Sequence, residues 1–243
     1  MVDPRRAIIG ERLRGVENII AVSSGKGGVG KSMIASTLAL ILARKGLRVG
    51  LFDLDFTSPA THLILGVGDL YPEEEYGIIP PRVHGLRYMS IVYYSKGETL
   101  PLRGADISNA LIELLSVTRW GVLDFLIVDM PPGISDAALD IIRLIEGLKF
   151  LIVTTPSRLA FETVGKFMRL LLELDIRILG VIENMKISDS TFIQEQVEGR
   201  GVRFWGDIPF DRRLEETIGD VDRLLETEFA KKLKELVDKN LGI

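Results

Sequence analysis

The stretch SSGKGGVGKS, residues 23–32, places four glycines and two lysines in ten positions. From Gly25 to Ser32 it fits the pattern G-x-x-x-x-G-K-[ST], between an apolar run at 18–24 and a segment of helical period. Glycines let the backbone curl so that successive N–H groups face phosphate oxygens, and a helix that begins at Lys31 adds the positive end of its dipole. The stretch therefore predicts a phosphate-binding loop between a strand and a helix.

The loop also carries the two side chains that nucleotide phosphates need. We expect Lys31 to reach the β- and γ-phosphates and the Ser32 hydroxyl to ligate Mg²⁺, so ATP and Mg²⁺ are the predicted cofactors. The alternative, a glycine-rich turn that merely matches the pattern, is disfavoured because the strand and the helix are where the motif requires them. The residues expected to contact the nucleotide here are Gly25, Lys26, Gly27, Gly28, Val29, Gly30, Lys31, Ser32 and Met33.

Apolar, β-branched runs alternate with longer segments of helical period along the chain. The predicted strands are 18–24, 48–55, 86–92, 124–130, 149–156 and 177–185, and the predicted helices are 31–45, 105–118, 135–147 and 158–174. Strands that are apolar throughout and separated by helices indicate a mostly parallel sheet covered by helices on both faces. We therefore predict an α/β fold, and 243 residues without an internal repeat favour a single domain, 1–243.

Three segments lie outside this alternation. Residues 1–17 are expected to form an N-terminal extension, and the acidic, then proline-rich segment 69–85 is expected to be a solvated connection, with a partner-contact loop as the alternative. The polar face of 223–241 has almost no net charge, whereas anionic membranes attract positive charge. We expect 223–241 to be a helix that packs on the sheet. Its apolar stripe consists of Leu225, Phe229, Leu233, Leu236 and Val237.

The composition excludes several kinds of site. The chain has no cysteine, which rules out disulfides, thiolate-ligated metals and an iron–sulfur cluster held by its own residues, and His62 and His84 are too few for a histidine-rich metal site. The formal net charge of −4 makes direct nucleic acid binding unlikely as the main task. No apolar run approaches the ~18 residues of a membrane span, and the N-terminal residues show no secretory signal. We expect a cytoplasmic protein without direct membrane binding.

Acidic side chains follow two of the predicted strands, at positions that suit nucleotide chemistry. Asp53 and Asp55 end the second strand, and Asp129 ends a later one. Residues two apart in a strand share a face, so Asp53 and Asp55 can point into one site. A helix-capping carboxylate before TSPA is the alternative for Asp55. Asn184, at the end of GVIENM, has the donor and acceptor that pair with the adenine edge, although its chemistry equally fits a turn former.

The sequence GKGGVGK resembles the deviant phosphate-binding loop of the MinD/ParA/nitrogenase iron-protein class of nucleotide-binding proteins. The resemblance implies that Lys26 extends across a dimer interface and touches the phosphates bound by the other subunit. ATP would then join two copies of the protein. A surface lysine without such a role is the alternative.

The same resemblance implies roles for the residues at the strand ends. Asp55 would orient the attacking water, and Asp53 and Asp129 would hold the water shell of the Mg²⁺. Gly133 would offer its N–H to the γ-phosphate. The catalytic residues are then expected to be Lys26, Lys31 and Asp55.

Further stretches are similar to the Mrp (ApbC-like) ATPases, relatives of MinD, from about Val16 to Phe210. They are SSGKGGVGKS, WGVLDFLIVDMPPGISD (120–136), IVTTPSRLAFE (152–162) and ILGVIENM (178–185), together with GLRYMSI and LRGADIS. This resemblance implies that Asn184 contacts adenine. Met33, the segment FTSPA and the pair Ile134 and Ser135 depart from the family pattern without removing a group that the chemistry requires.

The largest departure concerns iron–sulfur chemistry. Mrp-like proteins commonly carry clusters between subunits through a Cys-x-x-Cys pair soon after E-N-M, and here the chain continues ENMKISDSTFIQEQ without it. We expect a slowly hydrolysing ATP-dependent dimer switch for metallocluster assembly, either a homodimer or a heterodimer with a cysteine-bearing homologue. The alternatives are a partition or positioning ATPase that acts through a partner, and a P-loop small-molecule kinase.

Overall fold

The structure is a computed structural model that describes residues 5–68, 70–95 and 105–243. Its strands, in chain order, are β1 (Val16–Ser24), β2 (Val49–Asp53), β3 (Glu73–Glu74), β4 (Ile78–Ile79), β5 (Arg82–Val83), β6 (Leu86–Ser90), β7 (Leu123–Asp129), β8 (Lys149–Thr154), β9 (Ile178–Lys186) and β10 (Phe204–Pro209). Its α-helices are α1 (Arg5–Leu13), α2 (Lys31–Arg44), α3 (Thr61–Ile64), α4 (Val92–Ser95), α5 (Ala105–Val117), α6 (Asp136–Leu144), α7 (Arg158–Glu173), α8 (Phe192–Glu198), α9 (Val221–Glu226) and α10 (Glu228–Leu241). A 3₁₀ helix spans Arg212–Thr217.

Within the described residues, the main sheet has eight strands in the order β10-β9-β8-β1-β7-β2-β6-β5. Every neighbouring pair is parallel except β5 with β6, which is antiparallel. Helices flank the sheet, as its almost uniformly apolar central strands require. The predicted α/β fold with a mostly parallel sheet is therefore confirmed. In such sheets, ligands bind at the edge formed by the carboxyl ends of the strands.

Helix α2 fixes the position of the predicted phosphate loop. Its sequence is apolar on nearly every side, and residues from Ile34 through Leu42 are buried. It packs against β1, β2 and β7 and is covered by α10. Because α2 begins at Lys31, directly after the loop, this packing holds the loop over the carboxyl edge of the sheet.

The C-terminal segment consists of two helices, so the single helix predicted over 223–241 is wrong in this respect. Thr227 has extended backbone angles, and its hydroxyl accepts a hydrogen bond from the N–H of Ala230 at 3.1 Å. The threonine therefore ends α9 and caps α10. Helix α10 buries Phe229 and Leu233 and packs against α2 and β10.

The sequence patterns also missed β10 and the short strands β3, β4 and β5 in segment 69–85. Strand β10 has only six residues and contains Gly206 and Pro209, which are typical of turns. It forms nevertheless, because Trp205 and Ile208 are buried against the rest of the protein. Tertiary packing has overridden local preference here.

Two further boundaries differ from the sequence expectations. The strand predicted over 48–55 ends at Asp53, so Asp55 lies in the loop that follows rather than at the strand end. The region 1–17 contains α1, which packs against α5.

Residues 1–4, Asp69 and positions 102–104 of LRGADIS lie outside the described residues. None of the helices in the described ranges combines the length and hydrophobicity that a membrane span requires.

Candidate functional site

The candidate site is a cavity of about 410 Å³ between the glycine loop and the loops that follow β2 and β7. The loop lies between Ser24 at the end of β1 and Lys31 at the start of α2. Gly28 and Gly30 have φ values of +77° and +83°, the left-handed region in which a side chain would be strained. A Cβ on Gly30 would also lie 2.4 Å from the Asn184 Nδ2. Gly28 and Gly30 therefore suit these positions, because any other residue would be strained there.

The first turn of α2 leaves its backbone donors available. The N-cap residue is Gly30, which has no side chain, so no capping side chain accepts from the N–H groups of the first turn. The N–H groups at a helix start have no partner within the helix, and they lie at the positive end of its dipole. This arrangement provides an anion site at the loop.

Lys31 is the buried cation of the cavity, with 6% of its side chain exposed. Its Nζ lies 2.6 Å from the Asp129 Oδ1 and 3.6 Å from the Asp55 Oδ2. The ammonium group also donates to the Ser32 hydroxyl at 3.3 Å. The structure therefore brings together four of the residues predicted from the sequence.

Asp129 is fully buried at the end of β7. It pairs in register with Val22 of β1 on one side and with Asp53 of β2 on the other. Burial raises its pKa, and the neighbouring Lys31 opposes that rise. Its Oδ2 is buried and has no hydrogen-bond partner among the residues that the structure describes. A buried, unpartnered carboxylate oxygen beside a phosphate loop suits a hydrated magnesium ion.

Asp53 uses both carboxylate oxygens within the protein. Its Oδ1 accepts from the N–H of Asp55 at 3.0 Å, and its Oδ2 accepts from the Thr61 hydroxyl at 2.6 Å and the Thr61 N–H at 3.3 Å. Burial, and next the charge of Asp129, raise the pKa of Asp53 to about 7. These bonds hold the two ends of the loop between β2 and α3.

Asp55 combines a structural contact with one that faces the cavity. Its Oδ1 accepts from the Thr57 hydroxyl at 2.8 Å, the Thr57 N–H at 3.3 Å and the Ser58 N–H at 3.1 Å. The carboxylate thus caps a turn in the loop, while Oδ2 lies 3.6 Å from the Lys31 Nζ. The helix-capping alternative for Asp55 is therefore wrong, because α3 begins at Thr61 and its N-cap residue is Ala60.

Asn184 and Gly133 both contact the glycine loop. The Asn184 Nδ2 donates to the Val29 carbonyl at 2.9 Å, and the side chain is buried. The N–H of Gly133, predicted to face the γ-phosphate, donates to the Ser24 carbonyl at 2.9 Å. Gly133 has φ +73°, so glycine suits this position. Both groups lie next to the cavity, and each already donates a hydrogen bond to a backbone carbonyl there, Asn184 to Val29 and Gly133 to Ser24.

Lys26 lines the cavity from the exposed side of the loop. Its side chain makes no hydrogen bond or ion pair with any residue in the described ranges. It is thus separate from the buried cluster around Lys31. Its carbonyl accepts a hydrogen bond from the Ser24 hydroxyl at 2.8 Å, which shapes the loop.

Several contributors to the site were not recognised from the sequence. The Thr61 hydroxyl lies 2.8 Å from the Tyr88 hydroxyl as well as bonding Asp53, so β6 supports the loop after β2. Leu63 and Ile218 line the cavity with partly exposed apolar side chains. Tyr88 lies in the predicted strand 86–92, but neither that pattern nor any motif gave it a role at the site. Thr61, Leu63 and Ile218 lie outside the quoted motifs, and the four residues meet only through the tertiary fold.

The fold and this site together define a class of protein. A buried parallel strand leads through a glycine loop into a helix, and the loop lysine lies beside one aspartate from the loop after β2 and one from the end of β7. This is the arrangement of a P-loop NTPase.

Comparison with protein families makes the assignment more specific. Residues 15–240 match the ParA family, described as NUBPL iron-transfer P-loop NTPase, and the chain belongs to that family. An iron-sulfur cluster carrier protein of Aquifex aeolicus (strain VF5) is 36% identical over 222 residues, 85% of this chain and 61% of the relative. The chain thus spans about three fifths of that relative's length.

Solved structures agree with this family. A nucleotide-binding protein from Archaeoglobus fulgidus, solved in complex with ADP, superposes with a TM-score of 0.76 at 29% identity over 91% of this chain and 93% of that one. The septum site-determining protein MinD from Pyrococcus horikoshii OT3 gives a TM-score of 0.67 at 21% identity over 91% and 95%, a likeness of fold alone. The resemblance to Mrp-like ATPases and to their MinD relatives is confirmed.

Proposed function

We propose that the protein binds ATP with Mg²⁺, hydrolyses it slowly, and uses the cycle as a dimer switch in iron–sulfur cluster assembly. The observation that carries the proposal is the Lys31 ammonium, buried in the P-loop cavity at 2.6 Å from Asp129. A lysine in this position is placed to exchange its carboxylate partner for the phosphates of a nucleotide. Family membership and the names of the relatives support the rest.

In this proposal the nucleotide phosphates lie on the loop and on the first turn of α2. The N–H groups of that turn have no capping side chain, so they and Lys31 supply the donors. Asn184 retains a second N–H and its carbonyl oxygen for the adenine edge while the first N–H holds Val29. The residues assigned to the nucleotide are Gly25, Lys26, Gly27, Gly28, Val29, Gly30, Lys31, Ser32, Met33, Gly133 and Asn184.

The residues around Lys31 fit a magnesium ion. Ser32 offers a hydroxyl, and Asp129 offers the buried Oδ2 that lacks a partner, which are the hard oxygen donors that Mg²⁺ prefers. When bound, the ion would neutralise phosphate charge. Asp53 was predicted to share the water shell, but its oxygens already accept bonds from Asp55 and Thr61. We therefore assign Asp53 chiefly to positioning the loop that carries Asp55.

Asp55 is the residue assigned to the attacking water. Its Oδ1 is fixed by the Thr57 and Ser58 donors, so its Oδ2 has a defined position at the cavity. Once Lys31 turns to the phosphates, that oxygen is available to accept a proton from water. Gly133 reaches the γ-phosphate only if its N–H leaves the Ser24 carbonyl. In this proposal the rate depends on this rearrangement and on charge stabilisation rather than on covalent chemistry, so we expect slow turnover.

Lys26 is assigned to the phosphates of a second subunit. It is exposed at the rim of the cavity and has no partner within the described part of its own chain. The phosphates of a nucleotide bound by a second copy facing the cavity would supply the negative charge that pairs with Lys26. ATP would favour the closed dimer because the γ-phosphate adds contacts that ADP lacks, and hydrolysis would release it.

The client is proposed from the relatives, whose names describe iron–sulfur cluster carriers. This chain has no cysteine, so it would not hold a cluster through thiolates of its own. A heterodimer with a cysteine-bearing homologue would provide the ligands, and the ATP-dependent homodimer is the alternative assembly. The cluster is cargo in this scheme, and the cytoplasm is the proposed compartment.

Two measurements test the proposal. Wild type should bind ATP·Mg²⁺ and release phosphate slowly, Asp55→Ala should bind but not hydrolyse, and Lys31→Ala should do neither. In a cluster-transfer assay with a cysteine-bearing carrier homologue, wild type plus ATP should change the transfer rate and Asp55→Ala should block the cycle. An ATPase that never alters cluster transfer would remove the proposed client and leave the ATPase assignment standing.

A further inference from the structure

Two adjoining cavities lie at the opposite edge of the sheet from the nucleotide site. One, of about 890 Å³, includes Val16 at the start of β1 and Lys149 at the start of β8. The other, of about 600 Å³, includes Ile178 at the start of β9. Both cavities share Asp175, Ile176 and Arg177, so they form one depression, the amino-edge groove. Strand β1 has nine residues, which separates the groove from the P-loop by about 26 Å.

The length of the groove indicates an extended ligand. It crosses the starts of β1, β8, β9 and β10, which are consecutive neighbours in the sheet. Neighbouring strands are about 4.8 Å apart, so the groove extends at least ~14 Å across the sheet. A peptide in extended conformation covers ~3.3 Å per residue and would place four or five residues along it.

The charge of the groove is opposite to that of the whole chain, which has a formal net charge of −4. Among the described residues that line the groove, the acidic side chains are Glu146 and Asp175. Its basic side chains are Arg6, Arg14, Arg143, Lys149, Arg177 and Arg203. Such a local excess of positive charge attracts an acidic ligand and steers its approach.

Several of these cations are available to a ligand. The side chains of Arg143, Arg177 and Arg203 are exposed and make no hydrogen bond or ion pair with the described residues. By contrast, the Lys149 Nζ donates to the Asn18 Oδ1 at 2.7 Å, and the Arg6 guanidinium donates to the Arg143 carbonyl. The contacts of Lys149 and Arg6 hold these two side chains in the lining of the groove. The guanidinium groups of Arg143, Arg177 and Arg203 are the proposed recognition groups.

The floor of the groove is apolar. Leu144 and Ile176 are half-buried, and Leu172 is 49% exposed. A nucleic acid would offer phosphates to the rim but few apolar groups to this floor. A peptide that alternates acidic and apolar side chains satisfies both, because successive residues of an extended chain face opposite sides.

We propose that the amino-edge groove binds an extended acidic peptide of a partner protein, with acidic side chains on Arg143, Arg177 and Arg203 and apolar side chains on the floor. This site is separate from the nucleotide site, so its occupant is a second partner rather than the ATP-joined subunit. The proposal does not depend on the proposed function.

The test uses the full chain and a fluorescein-labelled heptapeptide, Glu-Leu-Glu-Leu-Glu-Leu-Glu, in a fluorescence-anisotropy titration. We expect saturable binding that weakens with added salt, and about tenfold weaker binding by Arg143→Glu/Arg177→Glu. The matched control is Arg82→Glu/Lys166→Glu, which makes the same charge change at exposed sites outside the groove and should bind like wild type. Far-UV circular dichroism and a thermal unfolding transition like that of wild type confirm that each variant is folded.

Four further probes distinguish the ligand classes. The peptide with serine in place of leucine should bind more weakly, the peptide with lysine in place of glutamate should not bind, and excess ATP·Mg²⁺ should not displace the original peptide. The proposal is overturned by absence of saturable binding, by equal weakening in both double variants, or by displacement with ATP. Tighter groove-dependent binding of a single-stranded heptathymidylate would make the groove a nucleic-acid site and would also overturn it.

Discussion

Replacing Lys31 should destabilise the protein far more than replacing its closest partner, Asp129. Lys31 is the cation among three buried carboxylates, those of Asp53, Asp55 and Asp129. Lys31→Met keeps much of the side-chain volume but leaves these carboxylates without a counter-ion. In Asp129→Asn, the amide oxygen can still accept from Lys31, and Asp55 remains 3.6 Å from the ammonium.

The magnitudes follow from burial. Removing one partner of a buried ion pair typically costs about 3–5 kcal/mol, because the remaining charge is uncompensated. We expect this loss in the free energy of unfolding of Lys31→Met at pH 8. For Asp129→Asn we expect about 1 kcal/mol, because a charged hydrogen bond becomes a weaker one. Part of this loss is offset, because the substitution also removes the repulsion between Asp129 and Asp53, which raises the pKa of Asp53 in the wild type.

The assay is thermal and urea unfolding without nucleotide at pH 8 and pH 5.5. At about 2–4 °C per kcal/mol for a chain of this size, Lys31→Met should lower Tm by roughly 6–20 °C at pH 8. Lys31 lowers the pKa values of Asp53 and Asp129, so its loss raises them further in the folded state. Folded carboxyls then hold protons that unfolded ones release, and stability falls as pH rises.

The deficit of Lys31→Met should therefore shrink at pH 5.5. Equal losses for the two variants, or a larger loss for Asp129→Asn, would refute this description of the cluster. A deficit that does not depend on pH would refute the electrostatic explanation in particular.

Three other perturbations test separate contacts. Gly30→Ala should cost at least about 1–2 kcal/mol by thermal unfolding, because φ is +83° and the new Cβ would meet Asn184, whereas Gly27→Ala, which has open space, should leave Tm nearly unchanged. Asn184→Ala should cost about 1 kcal/mol through its lost bond to the Val29 carbonyl and should weaken ATP binding; unchanged values of both would show that the side chain is dispensable. The pKa of Asp53 in the folded state is raised to about 7. The stability of the wild type without nucleotide should therefore fall between about pH 4 and pH 7 relative to that of Asp53→Asn. Parallel curves of stability against pH for the two proteins would contradict that shift.

The sequence predicted the parts of the fold that strong local patterns encode. The strands β1, β7, β8 and β9 are long and apolar, and the glycine loop defines the start of α2 within one residue. Strand β10 was missed because its six residues contain turn formers and gain their place from burial of Trp205. The break at Thr227 was missed because the apolar stripe continues across it at nearly helical spacing.

For the site, residue chemistry and strand ends indicated which groups meet, but not how they are bonded. Lys31, Asp55 and Asp129 do converge. That Asp53 accepts from Thr61 through one carboxylate oxygen and from the N–H of Asp55 through the other follows from the course of the loop after β2. The bond from Asn184 to Val29 likewise depends on how β9 passes the glycine loop.

The most direct test of the central claim is sedimentation of Asp55→Ala with ATP·Mg²⁺ or with ADP·Mg²⁺, with and without Lys26→Ala. Lys166→Ala serves as the control for loss of an exposed lysine. We expect a dimer with ATP·Mg²⁺ but not with ADP·Mg²⁺, its persistence in the Lys166 control, and its loss with Lys26→Ala while ATP still binds. A monomer that binds ATP in every case, or a dimer that survives loss of Lys26, would contradict it.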